Sequence, residues 1–233
     1  MPTTKNTKKP ASKPKTGPKK AESQLNPDKW LLAALPFAAD SGWNAGILMQ
    51  AARKLNCDPA LSKVVFPSGI RGLARHFNAW ANQQMESAIV RHAGFRHMKV
   101  RQKVAFGVRA RLEALAPYQG AIRQLLKWAA VPTNAPIAVK GLAETCSAIW
   151  YAAGDTSTDY NYYTKRGLLM GVYSSTLLFW LNDSSKNKEA TWAFLDARID
   201  DVMQVGQKIG QLKQMGSLAD KFMKMRDGLK RAA

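Results

Sequence analysis

Apolar residues along this chain return at steps of three and four, and strict alternation never lasts long enough to make a strand. That spacing lines one face of a helix and leaves nothing for a sheet to pair with. Start and stop signals divide the pattern. Asn26-Pro27 is a cap followed by proline at the first helical position, which opens a helix through about Ala38; Ser41-Gly42 breaks it. Trp43 to Leu55 is a second helix. Asn56-Cys57 turns, Asp58-Pro59 caps a short third helix that ends near Phe66-Pro67, and Ser68 caps a fourth running to about Ala93. Further helices are expected over Arg96 to Ala116, Tyr118 to Val131, Asn134 to Ala153, Tyr160 to Leu181 and Glu189 to about Lys208, followed by a last segment. The fold class is all-α, with about nine helices and a C-terminal amphipathic helix.

With 233 residues and 46% apolar content, the chain can bury one proper core. Two cysteines, Cys57 and Cys146, exclude a disulfide framework and a thiolate zinc cluster; both read as buried thiols. The longest uncharged stretch, Gly167 to Asn182, has 16 residues, short of the ~20 needed to cross a bilayer. No signal-peptide core follows the N-terminus, and the Lys/Pro-rich start has no arginine and no apolar stripe, unlike a mitochondrial presequence. The expectation is a protein of a reduced compartment, soluble or peripheral on a membrane.

The net charge of +19 is unevenly spread. Residues 1–22 carry seven lysines and one glutamate, residues 53–127 carry 14 basic and 3 acidic groups, and residues 208–233 carry 7 basic and 2 acidic groups. The rest is slightly acidic. Charge placed this way points to separate surfaces with separate partners. Residues 1–24 read as a disordered tail, either an arm for phosphate groups or simply a solvated one.

No catalytic constellation stands out. No acidic residue lies three before a histidine, and the glycine-rich phosphate and nucleophile-elbow motifs are missing. His76, His92 and His97 sit among arginines and read as surface or boundary residues. Asp155 and Asp159 flank Thr156-Ser157-Thr158; helix capping explains them more simply than a Mg²⁺ pair. The protein is expected to be no enzyme and to need no metal or cofactor.

Between residues 30 and 85, the order Ala51-Ala52, a turn at Asn56-Cys57, a short helix, Phe66-Pro67-Ser68 and a long helix resembles the N-terminal module of TetR-like regulators. Reading DNA needs side chains that reach base edges and phosphates from the short helix. Here it offers only Lys63 and Ser62 behind an acidic cap, so residues 25–94 read as a helix-turn-helix-like module without nucleic acid as its partner. Arg71, Arg75, Arg91 and Arg96 keep a TetR-like transcriptional regulator with a lipid effector as the alternative function.

The stretch after Ile149 breaks the bland pattern. Trp150, Tyr151, Tyr160, Tyr162, Tyr163 and Tyr173 crowd a polar hinge that contains Asp159. Amphipathic rings beside a carboxylate have the composition of a protein-binding hot spot. A core corner with its hydroxyls bonded to backbone is the plainer reading, and the pattern alone does not separate the two.

Residues Gly154 to Arg166 (GDTSTDYNYYTKR) and Thr191 to Met203 (TWAFLDARIDDVM) closely resemble the ubiquinone biosynthesis accessory lipid-binding proteins, the Coq-nine family, over about Asp40 to Met203. The resemblance implies a TetR-like fold without DNA binding, often as a homodimer. It implies binding of isoprenoid lipid or phospholipid, and delivery of a quinone precursor to the di-iron demethoxyubiquinone hydroxylase. The family's hydroxylase-docking patch falls on Ile149, Asp159, Tyr162 and Tyr163; many eukaryotic members have Trp where this chain has Tyr162.

The helices around Leu125, Trp128, Ile137, Ile149, Leu168, Leu169, Val172, Leu177 and Phe179 carry large side chains, some of them beside Gly167, Gly171 and alanines. Small residues on packed helices leave room for a groove, and an apolar groove with few polar anchors suits a prenyl tail. Leu125, Trp128, Ile149, Leu169, Val172 and Phe179 are the expected lipid contacts, and residues 95–207 the lipid- and partner-binding body. An ordinary close-packed core is the rival, which the family resemblance outweighs.

In residues 208–233, Leu212, Met215, Leu218, Phe222, Met225 and Leu229 fall on one helical face, with Lys213, Lys221 and Lys224 mostly off it. A basic amphipathic helix of this kind suits an anionic membrane surface, each cation near it adding about 1 kcal/mol. Packing on the protein itself or on a dimer mate is the rival. The expected location is the bacterial cytoplasm, peripheral on the inner membrane, with the matrix side of the mitochondrial inner membrane as the alternative.

Overall fold

The computed structural model describes residues 24–158 and 160–202. The described residues form nine α-helices and no strand: α1 (Pro27–Ser41), α2 (Gly46–Lys54), α3 (Leu61–Val65), α4 (Gly69–Arg91), α5 (Val100–Leu115), α6 (Gln119–Ala129), α7 (Ala135–Ala152), α8 (Tyr160–Asn182) and α9 (189–202). The tail at 1–23, Asp159 and the whole amphipathic segment 208–233 lie outside the described residues. So do all the predicted membrane contacts: Leu212, Lys213, Met215, Leu218, Lys221, Phe222, Lys224, Met225 and Leu229.

The first helix starts where its cap says it should. Asn26 Oδ1 accepts the backbone N–H groups of Asp28 at 2.9 Å and Lys29 at 3.2 Å, which satisfies two of the orphan donors of a helix start. The helix runs through Pro36 to Ser41, three residues past the expected end, and stops at Gly42 with φ +79°. Two other helix starts lack a side-chain cap. Ser68 makes no side-chain capping bond, and Asn134 turns its amide back to donate to the Trp128 carbonyl at 3.1 Å. Asp58 does cap locally, accepting from Ala60 N at 2.8 Å, but α3 begins only at Leu61 and has five residues.

The core gathers where α1, α2, α4, α5 and α6 meet. Trp30, Leu31, Leu35, Ile47, Leu73, Met85, Val108 and Leu112 are fully buried there, each large apolar side chain contributing about 1.5–3 kcal/mol. Trp43 ties the α1–α2 turn to α6 by donating its indole N–H to the Ala121 carbonyl at 2.8 Å, and its ring packs on Phe77. Phe66, in the Phe-Pro-Ser step, is also buried, so that step serves packing. Helices α7 and α8 lie against α4 and α5. At the α5–α7 contact a Cβ on Gly107 would come within 3.1 Å of Ile149, so glycine permits the close approach. Helix α9 closes the outer side: Phe194 stacks on Phe179 of α8, with centroids 4.6 Å apart, and Arg101 pairs with Asp200 at 2.7 Å.

Candidate functional site

Helices α4, α5, α6, α7 and α8 do not close on one another completely. Between them lies a cavity of about 680 Å³, within the range of small-molecule sites. Its wall is apolar. Phe77 and Ala81 come from α4, Leu115 from α5, Ile122, Leu125, Leu126 and Trp128 from α6, Ile137 and Leu142 from α7, and Leu177 and Leu178 from α8. A row of such residues on each helix turns inward because each helix carries its apolar positions at three- and four-residue steps.

The floor is polar. Arg111 is almost fully buried on α5. Its Nε donates to Asn82 Oδ1 at 2.8 Å, one terminal nitrogen to Asn78 Oδ1 at 2.7 Å, and the other to the Tyr173 hydroxyl. Thr145, also buried, donates its hydroxyl proton within the same cluster, with the Gly141 carbonyl oxygen 2.9 Å away and the Asn78 and Asn82 side-chain oxygens at 3.2 and 3.1 Å. Asn78 fixes its own amide by donating to Gly141 O at 3.1 Å. Burial pushes the Tyr173 phenol up, against the pull of Arg111, so it stays protonated. Arg111, Asn78, Thr145 and Tyr173 all border the cavity.

The aromatic hinge forms a second locus. Tyr163 is 73% exposed and meets Tyr162 edge to face at 5.1 Å. Tyr162 is half-buried, with the Arg166 guanidinium 3.4 Å above its ring. Hydrogen bonds with Tyr151 and then Ser147, joined by the Arg166 charge, lower the Tyr162 phenol below its ordinary value against the opposing effect of burial. Beneath the pair sits Asp155, whose carboxylate is 4% exposed. It accepts from Lys165 Nζ at 2.7 Å, from Ser157 Oγ at 2.6 Å and from Arg166 at 3.1 Å. Burial raises the carboxyl pKa, but these donors outweigh it and hold the group well below the usual carboxylate range. Arg166 also donates to the Tyr162 carbonyl at 3.1 Å and to Ser147 Oγ at 3.2 Å, locking the first turn of α8 onto α7.

The placement of the expected residues is mixed. Leu125 and Trp128 line the cavity, as do Ile137 and Leu177. Ile149, Leu169 and Val172 are buried in the core outside its lining, and Phe179 is taken up by Phe194. Ile149 is 1% exposed against Gly107, so it presents nothing to a partner; it supports the corner from within. Gly167 and Gly171 are exposed with open space where a Cβ would stand, so they do not shape the groove. Tyr162 and Tyr163 are adjacent at the hinge. Asp155 accepts the Ser157 backbone N–H at 3.4 Å, but its main role is as the centre of a buried ion cluster. Cys146 is buried, its thiol pushed up to about 12 by desolvation, whereas Cys57 is only half-buried. The residue that the sequence reading passed over is Arg111. The signal was there: Val104, Val108, Arg111 and Leu115 follow helical spacing, which sets a cation in an apolar stripe.

The COQ9 family profile matches residues 135–206, which span α7, the hinge, α8 and α9. Ubiquinone biosynthesis protein COQ9, mitochondrial, of Rattus norvegicus is 34% identical over 192 residues, covering 80% of this chain and 61% of the rat protein. The COQ9-B protein of Xenopus laevis is 34% identical over 84% of this chain and 68% of its own length. The Homo sapiens COQ9 is 32% identical over 84% and 63%. The chain thus spans about three-fifths of the length of the rat relative. Among solved structures, the crystal structure of a TetR transcriptional regulator from Nitrosomonas europaea aligns with a TM-score of 0.64, 21% identity, 76% of this chain and 98% of that one. That likeness makes the fold TetR-like.

Proposed function

The chain belongs to the COQ9 family, and from that premise we propose that it serves ubiquinone biosynthesis as a non-enzymatic lipid-binding protein. It receives an isoprenoid quinone precursor or a phospholipid in the α4–α8 cavity and presents the precursor to the di-iron demethoxyubiquinone hydroxylase. The cavity carries the reading: a largely apolar chamber of about 680 Å³ bordered by the buried polar cluster of Arg111, Asn78, Thr145 and Tyr173 suits a molecule with a greasy tail and one polar head. The hinge supplies the docking face. Tyr163 is exposed, and Tyr162 is held in place by Arg166, so a partner meets preorganised rings at little entropic cost. The basic segment 208–233 docks on the anionic face of the membrane that holds the quinone pool, and among the described residues no helix is long and apolar enough to cross it. That membrane is the bacterial inner membrane or, as in the relatives named mitochondrial, the mitochondrial one.

The second reading, a TetR-like regulator, draws support from the fold and the basic stretch 53–127. Against it stands α3, only five residues and about 7.5 Å long. Its Ser62 hydroxyl donates to the Pro59 carbonyl at 2.6 Å, which leaves Lys63 as its cation.

Mass spectrometry of lipids that travel with the full chain through gel filtration tests the proposal. A prenylated quinone or quinone precursor, enriched over its share of the membrane extract, is the expected result. A chain that carries no lipid, or carries membrane lipids only in bulk proportion, would overturn it.

A further inference from the structure

Among the described residues, Arg111 is a cation without a counter-ion. A guanidinium cannot shed its proton inside a protein, so unlike a buried lysine it stays charged. Its recorded partners are two amide oxygens and a phenol, all neutral, and among the described residues no carboxylate pairs with it. The contrast lies in the same molecule. Arg166, equally buried, has Asp155 within 3.1 Å. A fixed charge that has given up its water for neutral dipoles is expensive, and low surrounding polarity strengthens its pull on any anion that arrives.

The free hydrogen-bonding capacity has one sense. Three of the five guanidinium N–H groups serve Asn82, Asn78 and Tyr173, which leaves two to give. Tyr173 takes a proton from Arg111 and retains its own to donate. The neighbouring acceptors are occupied: Asn78 and Asn82 hold Arg111, and the Gly141 carbonyl receives Asn78. Around Arg111 the floor therefore offers two charged N–H donors and the Tyr173 proton, against neutral acceptors such as the Thr145 hydroxyl oxygen. The charged groups on the wall lean the same way, with Arg75, Arg111 and Lys140 against the single acid Glu144; of the four only Arg111 is buried.

We propose that the cavity selects amphiphiles with an acceptor-only oxyanion head, carboxylate or phosphate, seated on Arg111 and Tyr173 while the apolar tail lies along α6 and α8. The proposal rests on the lipid-binding reading and adds to it the head-group class and the residues that read it.

The test uses delipidated full-length protein and two probes with the same tail, oleate and oleyl alcohol, in equilibrium dialysis below their micellar range. Oleate is expected to bind roughly ten- to hundredfold more tightly than the alcohol. Arg111→Gln is expected to erase that preference, and Tyr173→Phe, which keeps the ring, to reduce it. Inorganic phosphate alone is expected not to displace oleate at millimolar concentration. Equal binding of acid and alcohol by the unaltered protein would overturn the head-group claim and leave the lipid cavity standing, as would a preference that survives in folded Arg111→Gln. Displacement of oleate by phosphate would make the oxyanion the whole ligand and overturn the amphiphile. Failure of both probes to bind would take down the lipid-binding reading as well.

Discussion

Asp155 shows how one carboxylate can hold an aromatic surface in shape. Lys165 and Arg166 both reach it from the first turns of α8, and Arg166 in turn supports the Tyr162 ring. Asp155→Asn keeps the shape and removes the charge, so it should cost roughly 2 kcal/mol or more at neutral pH, read by urea unfolding. The deficit should depend on pH in a defined direction. The folded-state pKa is depressed, so the stabilising contribution is full above the unfolded carboxylate's value of about 3.9 and fades as pH falls towards the lower folded value. The gap between the two proteins should hold from pH 7 to pH 5 and narrow at pH 3. A gap as wide at pH 3 as at pH 7 would show that the cluster does not act through its charge. Asp155 and Arg111 together make a contrast in buried charge: the first is compensated by Lys165 and Arg166, whereas the second rests, among the described residues, on neutral partners.

At the level of helices, the tightest joint is α5 on α7. Gly107→Val should push Ile149 out of its place and cost about 1–3 kcal/mol in chemical denaturation. Adding Ile149→Ala should recover part of that loss, because the two changes share one volume; strictly additive losses would mean the contact is looser than 3.1 Å suggests. Helix existence was legible from the chain because each start or stop carries its own local chemistry, as at Asn26 and Gly42. Which face of a helix turns inward was harder to read. Helix α8 is apolar almost all round, so periodicity could not say that Leu177 borders the cavity while Val172 and Leu169 fill the core. Ile149 was placed at the docking patch by family likeness, and only packing reveals it behind the surface. Asp155 was misread because its partners stand ten and eleven residues on, beyond the reach of a capping pattern.

The molecule as a whole combines a TetR-like architecture with a cavity, an exposed aromatic corner and a basic terminal segment, and the three belong to one task if a hydrophobic substrate must reach a catalyst without crossing water. Lipid in the cavity is the step on which the others depend. The most direct measurement is equilibrium dialysis of delipidated full-length protein against a benzoquinone bearing a short prenyl chain, whose neutral carbonyl oxygens accept from the same Arg111 and Tyr173 donors, though more weakly than an oxyanion does. Ser174→Phe serves as the comparison, since it places a ring at the α8 wall of the cavity and leaves Tyr162 and Tyr163 untouched. The unaltered protein should bind one quinone per chain, and Ser174→Phe, folded by circular dichroism, should bind at least about tenfold more weakly. Equal binding by the two proteins, or none by either, would contradict the assignment of the cavity as the site that carries the lipid.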